Sequence, residues 1–343
     1  MRILGIESSC DECAAAVVED GRRILSSVVA TQIPFHEKYQ GVVPEIASRK
    51  HTEWIADVVD RAMAEAGTKF AGLDGIAVTT RPGLVGSLLV GLCYAKGLAW
   101  AIGAPFIGVN HILAHLYAPL LDAAAGQGSA SPAYPFLGLL VSGGHTIICK
   151  VEDFDRIEVL GTTIDDAVGE AFDKVAKHYG FGYPGGSAID RLALSGREDA
   201  YAFPRPSLHK GEHRYDVSYS GLKTAAVYQL DQYRKPGLEP NPSDLAASFQ
   251  KAAIDILLGR LLRASEDTSL KTIVAGGGVA ANSYLRRKLT ARTDLDVRFP
   301  PLELCGDNGA MVAGIGYKYL VRGESSGYEH TVSARVPLYR KLG

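Results

Sequence analysis

The sequence predicts an α/β protein built from two related lobes, and three observations support this prediction. Strand-like and helix-like segments alternate along most of the 343 residues, which is the pattern of α/β domains. The two halves begin alike, each with a hairpin followed by a third strand, which indicates an internal duplication. One low-complexity segment, Ala123 to Pro135, separates the halves and is typical of a surface linker or long loop.

The two openings differ mainly in their first turn. The first half opens with RILGIESSCDECAAAVVEDGRRILSSVVA, which predicts strand, polar turn, strand, turn and strand. The second half opens with FLGLLVSGGHTIICKVEDFDRIEVLGTT, which predicts the same order around a Ser-Gly-Gly-His turn. Two related lobes that face each other would place these turns across one cleft. Because β-hairpins are common, a chance likeness is the alternative.

Helices and strands follow each hairpin at helical and strand-like spacing. In the first half we predict a helix around Ile55–Ala62, a strand over 73–80, a buried helix over 86–102 and a strand ending at Asn110. In the second half we predict helices over 166–178, 220–232 and 245–263, and two more from about Ala281 and from Asp307. The predicted domains are an N-terminal lobe over 1–125, a C-terminal lobe over 135–305, and a helix and tail over 306–343 that packs on the first lobe.

The composition is that of an ordinary globular protein, with 47% hydrophobic and 22% charged residues. The net charge of −2 gives no global positive field, so nucleic acid would be bound by local patches or through a partner. Five scattered cysteines are typical of a reducing compartment. We expect a cytoplasmic protein with no membrane contact, because the chain starts without a basic and apolar leader and its longest apolar run, Leu84 to Ala95, is too short to span a bilayer.

The segment NHILAHLYA places His111 and His115 four residues apart, on one face of a helix. Two imidazoles at this spacing can bind one ion, although two hydrogen-bonded histidines in a buried helix are the alternative. Asp307, in CGDNGAM, stands at a predicted helix start, where it could cap the helix or supply a carboxylate ligand. Together the three residues would form a metal site with positions left open for substrate.

Acidic and glycine-rich segments indicate a nucleotide site. The turn ESSCDE offers two carboxylates, Asp11 and Glu12, and the turn LVSGGHT can present backbone N–H groups to an anion. The segment VAGGGVAANSYL predicts a glycine-rich helix start, a weak nucleotide signal that matches neither the P-loop nor the Rossmann pattern. Asn282 could bind local backbone or a ribose or base. The run DDAVGEAFDKVAKHYGFGYPGGSAID adds carboxylates and a predicted turn at 184–186, which together indicate a substrate pocket.

Several segments follow one another in an order and spacing shared with a known family: GIESSCDECAAAVV, QGVVPEIASRKH, RPGLVGSLLVG, NHILAH, LLVSGGHT, DDAVGEAFDKVAK, YPGG, FPRP, SYSGLKTA, FQKAAIDIL, AGGGVAANSYLR and CGDNGAM. The chain resembles the TsaD family of tRNA threonylcarbamoyladenosine synthesis proteins, once labelled glycoprotein endopeptidases, and looks like its bacterial branch. Departures are small. Cys13 stands where the family usually has Thr, Gln40-Gly41 where it has Gly-Gly, and VSYSGLKT where it has FSFSGLKT.

The resemblance implies an actin-like, sugar-kinase-like (ASKHA) fold of two lobes around a cleft. It implies transfer of the threonylcarbamoyl group from threonylcarbamoyl-AMP to N6 of the adenosine just 3′ of the anticodon, in tRNAs that read codons beginning with A. The family's metal ligands fall on His111, His115 and Asp307, with Fe²⁺ expected and Zn²⁺ as the alternative. Its substrate-binding positions fall on Leu140, Val141, Ser142, Gly143, Gly144, Asp173, Gly186, Asp190 and Asn282. Implied partners are tRNA, a smaller TsaB-like paralogue and a TsaE-like P-loop ATPase.

Asp11 or Glu12 is a candidate for assisting proton transfer as the adenosine amine attacks the carbamoyl carbonyl. The candidate tRNA contacts are three basic stretches, although solvated charge runs are the alternative: Arg49-Lys50-His51, His209-Lys210 with His213-Arg214, and Arg286-Arg287-Lys288.

Three rival functions remain open from the residues alone. A metallopeptidase of the H-E-x-x-H type needs a glutamate between its histidines, and His-Ile-Leu-Ala-His has none. A small-molecule kinase of the ASKHA fold would phosphorylate its substrate with ATP. A nucleotide sensor would bind partners without catalysis.

Overall fold

The computed structural model describes residues 1–122, 132–205 and 213–336, which divide into two compact units. The first unit comprises the described residues of Met1–Ser131 and of Pro300–Tyr339. The second comprises the described residues of Pro132–Phe299. The first unit therefore takes its last segment from a part of the chain that follows the second unit, and this segment begins at Pro300.

A five-stranded mixed sheet forms the centre of the first unit. Its strands are β1 (Arg2–Glu7), β2 (Glu12–Glu19), β3 (Arg23–Thr31), β4 (Gly75–Arg81) and β5 (Phe106–Asn110). Their order across the sheet is β3-β2-β1-β4-β5. The first three strands pair antiparallel, whereas β4 and β5 run parallel to β1. This topology places the turn 8–11 between the first two strands, at the same edge of the sheet as the ends of β4 and β5.

Helices cover both faces of this sheet. They are α1 (Ile33–His36), α2 (Pro44–Glu65), α3 (Val85–Ile102), α4 (His111–Tyr117) and, numbered along the whole chain, α11 (Gly309–Val321). Side chains of α2 and α3 form one core with Leu4 and Ile6 of β1. Because side chains alternate along a strand, Gly5 faces the opposite side, where α11 packs. A Cβ atom on Gly5 would collide with the carbonyl of Gly309, so close helix packing requires a glycine there.

Within the described ranges, α3 is the one helix long and apolar enough to cross a membrane, judged by length and composition alone. The apolar run Leu84 to Ala95 was predicted to be too short to span a bilayer. The whole helix is long enough because it continues beyond that run, through Lys96 to Ile102. Its inner face, which includes Leu88, Leu92 and Ala95, is buried against α2 and β4. The core helix of a soluble protein passes the same test, so the finding is weak evidence for a membrane span.

The second unit repeats the strand topology of the first. Its strands are β6 (Phe136–Val141), β7 (Thr146–Asp153), β8 (Arg156–Thr162), β9 (Thr272–Gly276) and β10 (Asp296–Arg298). The order is β10-β9-β6-β7-β8, with β6, β7 and β8 antiparallel and with β9 and β10 parallel to β6. The predicted duplication and the α/β fold class are therefore confirmed at the level of strand order and direction.

Six helices lie in the described part of the second unit: α5 (Val168–Tyr179), α6 (Gly185–Ala193), α7 (Ser220–Tyr228), α8 (Leu230–Tyr233), α9 (Pro242–Thr268) and α10 (Ser283–Thr290). Two predictions were wrong. The helix predicted over 220–232 divides at Gln229, whose φ of −131° leaves the helical region. The turn predicted at 184–186 is instead the start of α6, because Pro184 occupies the N-cap and the two glycines that follow are helical.

Candidate functional site

The two histidines lie in a short buried helix that begins where β5 ends. The Asn110 side chain accepts a hydrogen bond from the Ile112 N–H at 2.9 Å and caps α4 at its first turn. Every residue of α4 is buried. The rings of His111 and His115 lie 4.5 Å apart, centroid to centroid, as expected for positions i and i+4 on one face.

Asp307 faces these histidines from the residue before the N-cap of α11. The helix cap is Asn308, whose side chain accepts from the Met311 N–H at 2.9 Å, so the structure rules out capping, the alternative role for Asp307. The Oδ1 atom of Asp307 lies 3.0 Å from Nε2 of His115 and 3.5 Å from Nε2 of His111. One candidate ligand atom from each residue lies within 4.8 Å of the other two. The structure therefore brings the three predicted ligands together within the first unit.

The chemistry of these donors fits a divalent transition metal. Two imidazole nitrogens and one carboxylate oxygen, with other positions open, form the donor set of many non-haem iron sites, and Zn²⁺ accepts the same ligands. Both histidines direct Nε2 toward Asp307, so the three donors converge rather than pointing apart. These residues could hold one Fe²⁺ or Zn²⁺ ion.

Glu7 is a functional residue that the sequence analysis missed. Its carboxylate is fully buried, and Oε2 lies 3.0 Å from Nδ1 of His111. It accepts two further hydrogen bonds, from the Thr79 hydroxyl and from the Ser9 N–H, each at 2.6 Å. A carboxylate on the second nitrogen of a metal-binding histidine fixes the orientation of the ring and leaves Nε2 for the metal. The available signal was Glu7 itself, a charged residue ending an otherwise apolar strand.

Charges in this cluster shift the pKa values of its members. Burial lowers the pKa of His111, but the carboxylates of Asp307 and Glu7 outweigh that effect and raise it to about 9. Burial opposes ionisation of Glu7, yet the charge and hydrogen bond of His111 hold its pKa below the usual value. The cluster is therefore built to hold positive charge at its centre.

Asp11 and Glu12, the candidate catalytic acids, lie at the turn between β1 and β2 in the same unit. Asp11 is buried, and its backbone carbonyl accepts from the Gln32 N–H at 3.0 Å. Burial, followed by the charges of Asp307 and Asp11, raises the pKa of Glu12 to about 10. In this arrangement Glu12 carries a proton at neutral pH and can donate a hydrogen bond. Their catalytic roles stay predictions.

In the second unit, the predicted run Leu140 to Gly144 forms the end of β6 and the following turn. The Ser142 N–H donates to the His145 carbonyl at 2.8 Å and closes the turn. Cβ atoms added to Gly143 or Gly144 would meet nothing, so the backbone here is open to a ligand. The N-terminus of α5 lies against this turn, because a Cβ on Gly169 would come within 2.5 Å of the Ser142 carbonyl oxygen. A helix N-terminus beside exposed glycines favours an anion.

The remaining predicted substrate residues form two small groups on the same unit. Asp173 of α5 accepts from the Gly185 N–H at 2.7 Å, which fixes the start of α6 next to Gly186. Asp190 of α6 accepts from the Asn282 amide at 3.3 Å and from the Ser283 hydroxyl at 2.7 Å. The sequence analysis missed Ser283, and it also missed Gln250, whose amide donates to Asp190 from the FQKAA segment. Asp190 is therefore a centre that joins α6, α9 and α10.

The predicted basic stretches are largely neutralised by the protein's own acids. His51 is buried and its Nε2 hydrogen-bonds to the Cys10 carbonyl at 3.0 Å. His209 and Lys210 lie outside the described residues. Four of the basic side chains pair with carboxylates: Lys50 with Glu53, His213 with Asp216, Arg214 with Asp267, and Arg287 with Glu198. The tRNA contacts proposed from these stretches stay predictions.

The duplicated sheet has the strand topology of the actin-like, sugar-kinase-like fold. A solved structure of full-length HypF, in its phosphate- and nucleotide-bound form, superposes with a TM-score of 0.59 at 15% identity, over 95% of this chain and 47% of that one. Component A of the (R)-2-hydroxyglutaryl-CoA dehydratase of Acidaminococcus fermentans superposes with a TM-score of 0.56 at 14% identity, over 94% and 99%. At these identities the likeness shows the fold alone.

The chain belongs to the TsaD family, whose sequence model, described as tRNA N6-adenosine threonylcarbamoyltransferase, matches residues 23–314. A Treponema denticola protein of that name is 62% identical over all of this chain and 99% of its own length. Proteins of the same name from Treponema pallidum and Borreliella burgdorferi are 54% and 50% identical, over 100% and 99% of this chain and 96% of their own lengths. The predicted family is confirmed, and none of these three relatives is named as a kinase or a peptidase.

Proposed function

We propose that this protein is a tRNA N6-adenosine threonylcarbamoyltransferase. It transfers the threonylcarbamoyl group of threonylcarbamoyl-AMP to N6 of the adenosine at position 37, in tRNAs that read codons beginning with A, forming t6A and releasing AMP. The observation that carries the proposal is the convergence of His111, His115 and Asp307 in a member of this family that spans 99% of its Treponema denticola relative. Fe²⁺ is the proposed ion, with Zn²⁺ as the alternative.

In the reaction, N6 attacks the carbamoyl carbon, a C–N bond forms, the bond to the AMP phosphate breaks, and N6 loses one proton. When bound, the metal ion supplies a positive charge that polarises or holds an oxygen of the threonylcarbamoyl group. Glu7 holds the His111 ring in the orientation that presents Nε2. Asp11 is the candidate to receive the proton of N6, whereas Glu12, whose pKa is raised to about 10, keeps its proton and can donate a hydrogen bond to an oxygen of the reacting group.

The second unit contributes groups suited to the nucleotide half of the substrate. The exposed backbone at Gly143 and Gly144, beside the N-terminus of α5, suits the phosphate. Asp190 and Asn282, which hydrogen-bond each other at 3.3 Å, are the proposed contacts of the ribose or base, and their hydrogen bonds to the protein hold them in position. Binding the nucleotide half in a fixed position would remove orientational entropy from the reaction barrier.

The proposed partners are a TsaB-like paralogue that pairs with this subunit and a TsaE-like ATPase that resets it, in the cytoplasm. Support for a partner surface comes from the outer face of α3, where Val85, Leu89 and Trp100 are exposed, Trp100 by 78%. Exposed apolar patches of this kind mark protein interaction sites.

The test is a transfer assay with purified protein, the paralogue, the ATPase partner, labelled threonylcarbamoyl-AMP and unmodified tRNA. His115→Ala and Asp307→Asn should each lower label transfer at least about 100-fold, because each removes a direct ligand and loss of an outer partner alone costs 10- to 100-fold. Asp296→Asn, an exposed aspartate paired with Arg298, is the matched control and should keep full activity. Metal content of each variant is measured in parallel.

Other outcomes would support one of the three rival functions. Phosphorylation of a small molecule by ATP, with no label on tRNA, would favour a kinase. Zinc-dependent cleavage of a glycoprotein, abolished by His111→Ala, would favour a peptidase. Full function in cells after His115→Ala would favour a sensor that binds without catalysis.

A further inference from the structure

The second unit carries an exposed aromatic cluster that the proposed reaction does not use. His178 and Tyr179 end α5, Phe181 follows in the next turn, and Tyr228 is the last residue of α7. The ring centroids of Tyr179 and Phe181 lie 5.5 Å apart in a stacked arrangement, and those of His178 and Tyr228 lie 6.4 Å apart. Tyr228 is 79% exposed. We call these four residues the aromatic platform.

The platform is held in place by the backbone and by one buried hydrogen bond. Gly180 ends α5 with a φ of +66°, and Gly182 has a φ of +110°, values that favour glycine. The Phe181 N–H donates to the Ala176 carbonyl at 2.9 Å, which fixes the turn between them. The Tyr179 hydroxyl donates to the Ala226 carbonyl at 2.5 Å and ties α5 to α7. The other rings of the aromatic platform therefore pack around the Tyr179 ring, which this hydrogen bond holds in place.

The charges around the platform suit a phosphate backbone. Lys177 is exposed and has no ion pair among the described residues. Segment 177–184 and α7 contain no acidic residue, and the next acid along the chain, Asp231, pairs with Arg234 at 3.3 Å. Open ring faces, with a lysine in the same last turn of α5, are suited to stacking with unpaired nucleobases while lysine contacts their phosphates.

The platform is continuous with the candidate substrate pocket. Its central helix, α5, also carries Asp173, which binds the Gly185 N–H at the start of α6. The turn that presents Phe181 leads directly into that start. An enzyme that modifies a base in a loop must separate it from its neighbours, and those neighbours then need another surface on which to stack.

We propose that the aromatic platform binds an unpaired base of the tRNA anticodon loop next to the reacting adenosine. This inference rests on the proposed function, because a tRNA substrate supplies the unpaired bases. Tyr228 is the principal contact, since its ring is largely exposed and its hydroxyl has no hydrogen-bond partner in the part of the chain that the structure describes.

The test uses the full chain with its paralogue and an RNA hairpin of the anticodon stem-loop sequence, with 2-aminopurine replacing the base next to the target adenosine. Tyr228→Ala should weaken hairpin binding roughly 5- to 150-fold and should abolish the fluorescence quenching that accompanies stacking. Tyr228→Phe keeps the ring face and should stay within about twofold of wild type. Tyr134→Ala, which removes another partly exposed stacked ring of the same unit, is the control and should change neither quantity.

Salt dependence separates stacking from charge. Lys177→Gln should reduce the slope of log affinity against log salt by about one, because one phosphate contact is lost. Tyr228→Ala should leave that slope unchanged while lowering affinity at every salt concentration.

Two results would overturn the inference. Wild-type transfer to tRNA combined with unchanged hairpin affinity and quenching in Tyr228→Ala would remove the platform from tRNA recognition and leave the proposed function intact. Loss of paralogue binding in Tyr228→Ala, with hairpin affinity unchanged, would assign the surface to a protein partner. Absence of both hairpin binding and transfer in the wild-type complex would instead reject the proposed function itself. Thermal unfolding and threonylcarbamoyl-AMP binding, both expected to be unchanged in Tyr228→Ala, confirm that the variant is folded.

Discussion

The two units place the same hairpin turn in the same position and give it opposite chemistry. In the first unit the turn follows Glu7 and carries hydroxyls and carboxylates, whereas in the second it follows Val141 and carries two open glycines. Both Glu7 and Val141 are the last residue of a central strand, and both are fully buried. The duplicated fold thus fixes where a ligand can bind, and a few side chains decide whether it is a cation or an anion.

Burying Glu7 costs more free energy than burying Val141. Moving a carboxylate out of water costs several kcal/mol unless partners compensate for the lost hydration. Glu7 has three such partners, in the Thr79 hydroxyl, the Ser9 N–H and the His111 ring. Val141 needs none, so the second turn can leave its backbone groups to a ligand.

Removing the charge of Glu7 should have the largest effect on this difference. Glu7→Gln should weaken metal binding about 10- to 100-fold, because His111 loses the carboxylate that orients it. Metal affinity measured by competition with a coloured chelator gives the result directly, without an activity assay.

Glu12→Gln is the matched control for Glu7→Gln, since it removes a neighbouring carboxyl group that contacts neither histidine in the described structure. Its metal affinity should be closer to wild type than that of Glu7→Gln. Equal losses in both variants would show that replacing either neighbouring carboxyl group weakens metal binding, and would contradict the specific role of Glu7 in orienting the His111 ring. A full single-turnover rate in Glu12→Gln would clear Glu12 of a role in proton transfer.

Adding a side chain against the glycine turn of the second unit should have a smaller effect, which should appear as a change in the free energy of unfolding. A Cβ on Gly169 would lie 2.5 Å from the Ser142 carbonyl oxygen, so Gly169→Ala should lower the free energy of unfolding by about 1–3 kcal/mol. Chemical denaturation measures this change. Gly259 lies in the middle of α9 with open space around it, so Gly259→Ala should instead raise the free energy of unfolding by about 0.5–1 kcal/mol. An unchanged stability in Gly169→Ala would mean that the turn can move away from α5.

A substitution in the second unit should lower substrate affinity without lowering the metal content of the first unit. Asp190→Asn should weaken threonylcarbamoyl-AMP binding about tenfold, because the charge that holds Asn282 and Ser283 in place is lost. Metal content should stay at the wild-type level. Calorimetry with the substrate, or with AMP as its stable part, measures the first quantity. A loss of metal in this variant would show that substrate binding and metal binding depend on each other.

The smallest expected effect is a pH dependence confined to the first unit. In the metal-free protein the pKa of His111 is raised to about 9, above its usual value near 6.5. A raised pKa contributes stability that is fully present below about pH 6.5 and is lost as the pH rises toward 9. Chelator-treated protein should therefore lose a few degrees of Tm over this range, and metal affinity should rise as the competing proton leaves. His111→Gln should remove the slope, and a stability that increases over this range would contradict the charge assignment.

Residue spacing predicted the elements that depend on local pattern. The histidine pair, the two hairpins and the glycine turn are all visible within a few residues of sequence, and the structure has each of them. Contacts from distant parts of the chain could not be predicted in this way. Asn308, and not Asp307, caps α11. Glu7 contacts His111, 104 residues away in sequence, and Gln250 contacts Asp190, 60 residues away. In each case tertiary packing selects one of several partners that local sequence allows.

The fold-back of α11 sets an order of events during synthesis. Asp307 meets His115 across 192 residues, with the whole second unit translated between them. While the ribosome is still making the second unit, the first lacks both its last ligand and the helix that packs on its sheet. The second unit can complete its own fold earlier, since no later described segment joins it. The three-ligand site can thus assemble only after the chain has been translated past Asp307, and products that stop before this residue lack a complete site.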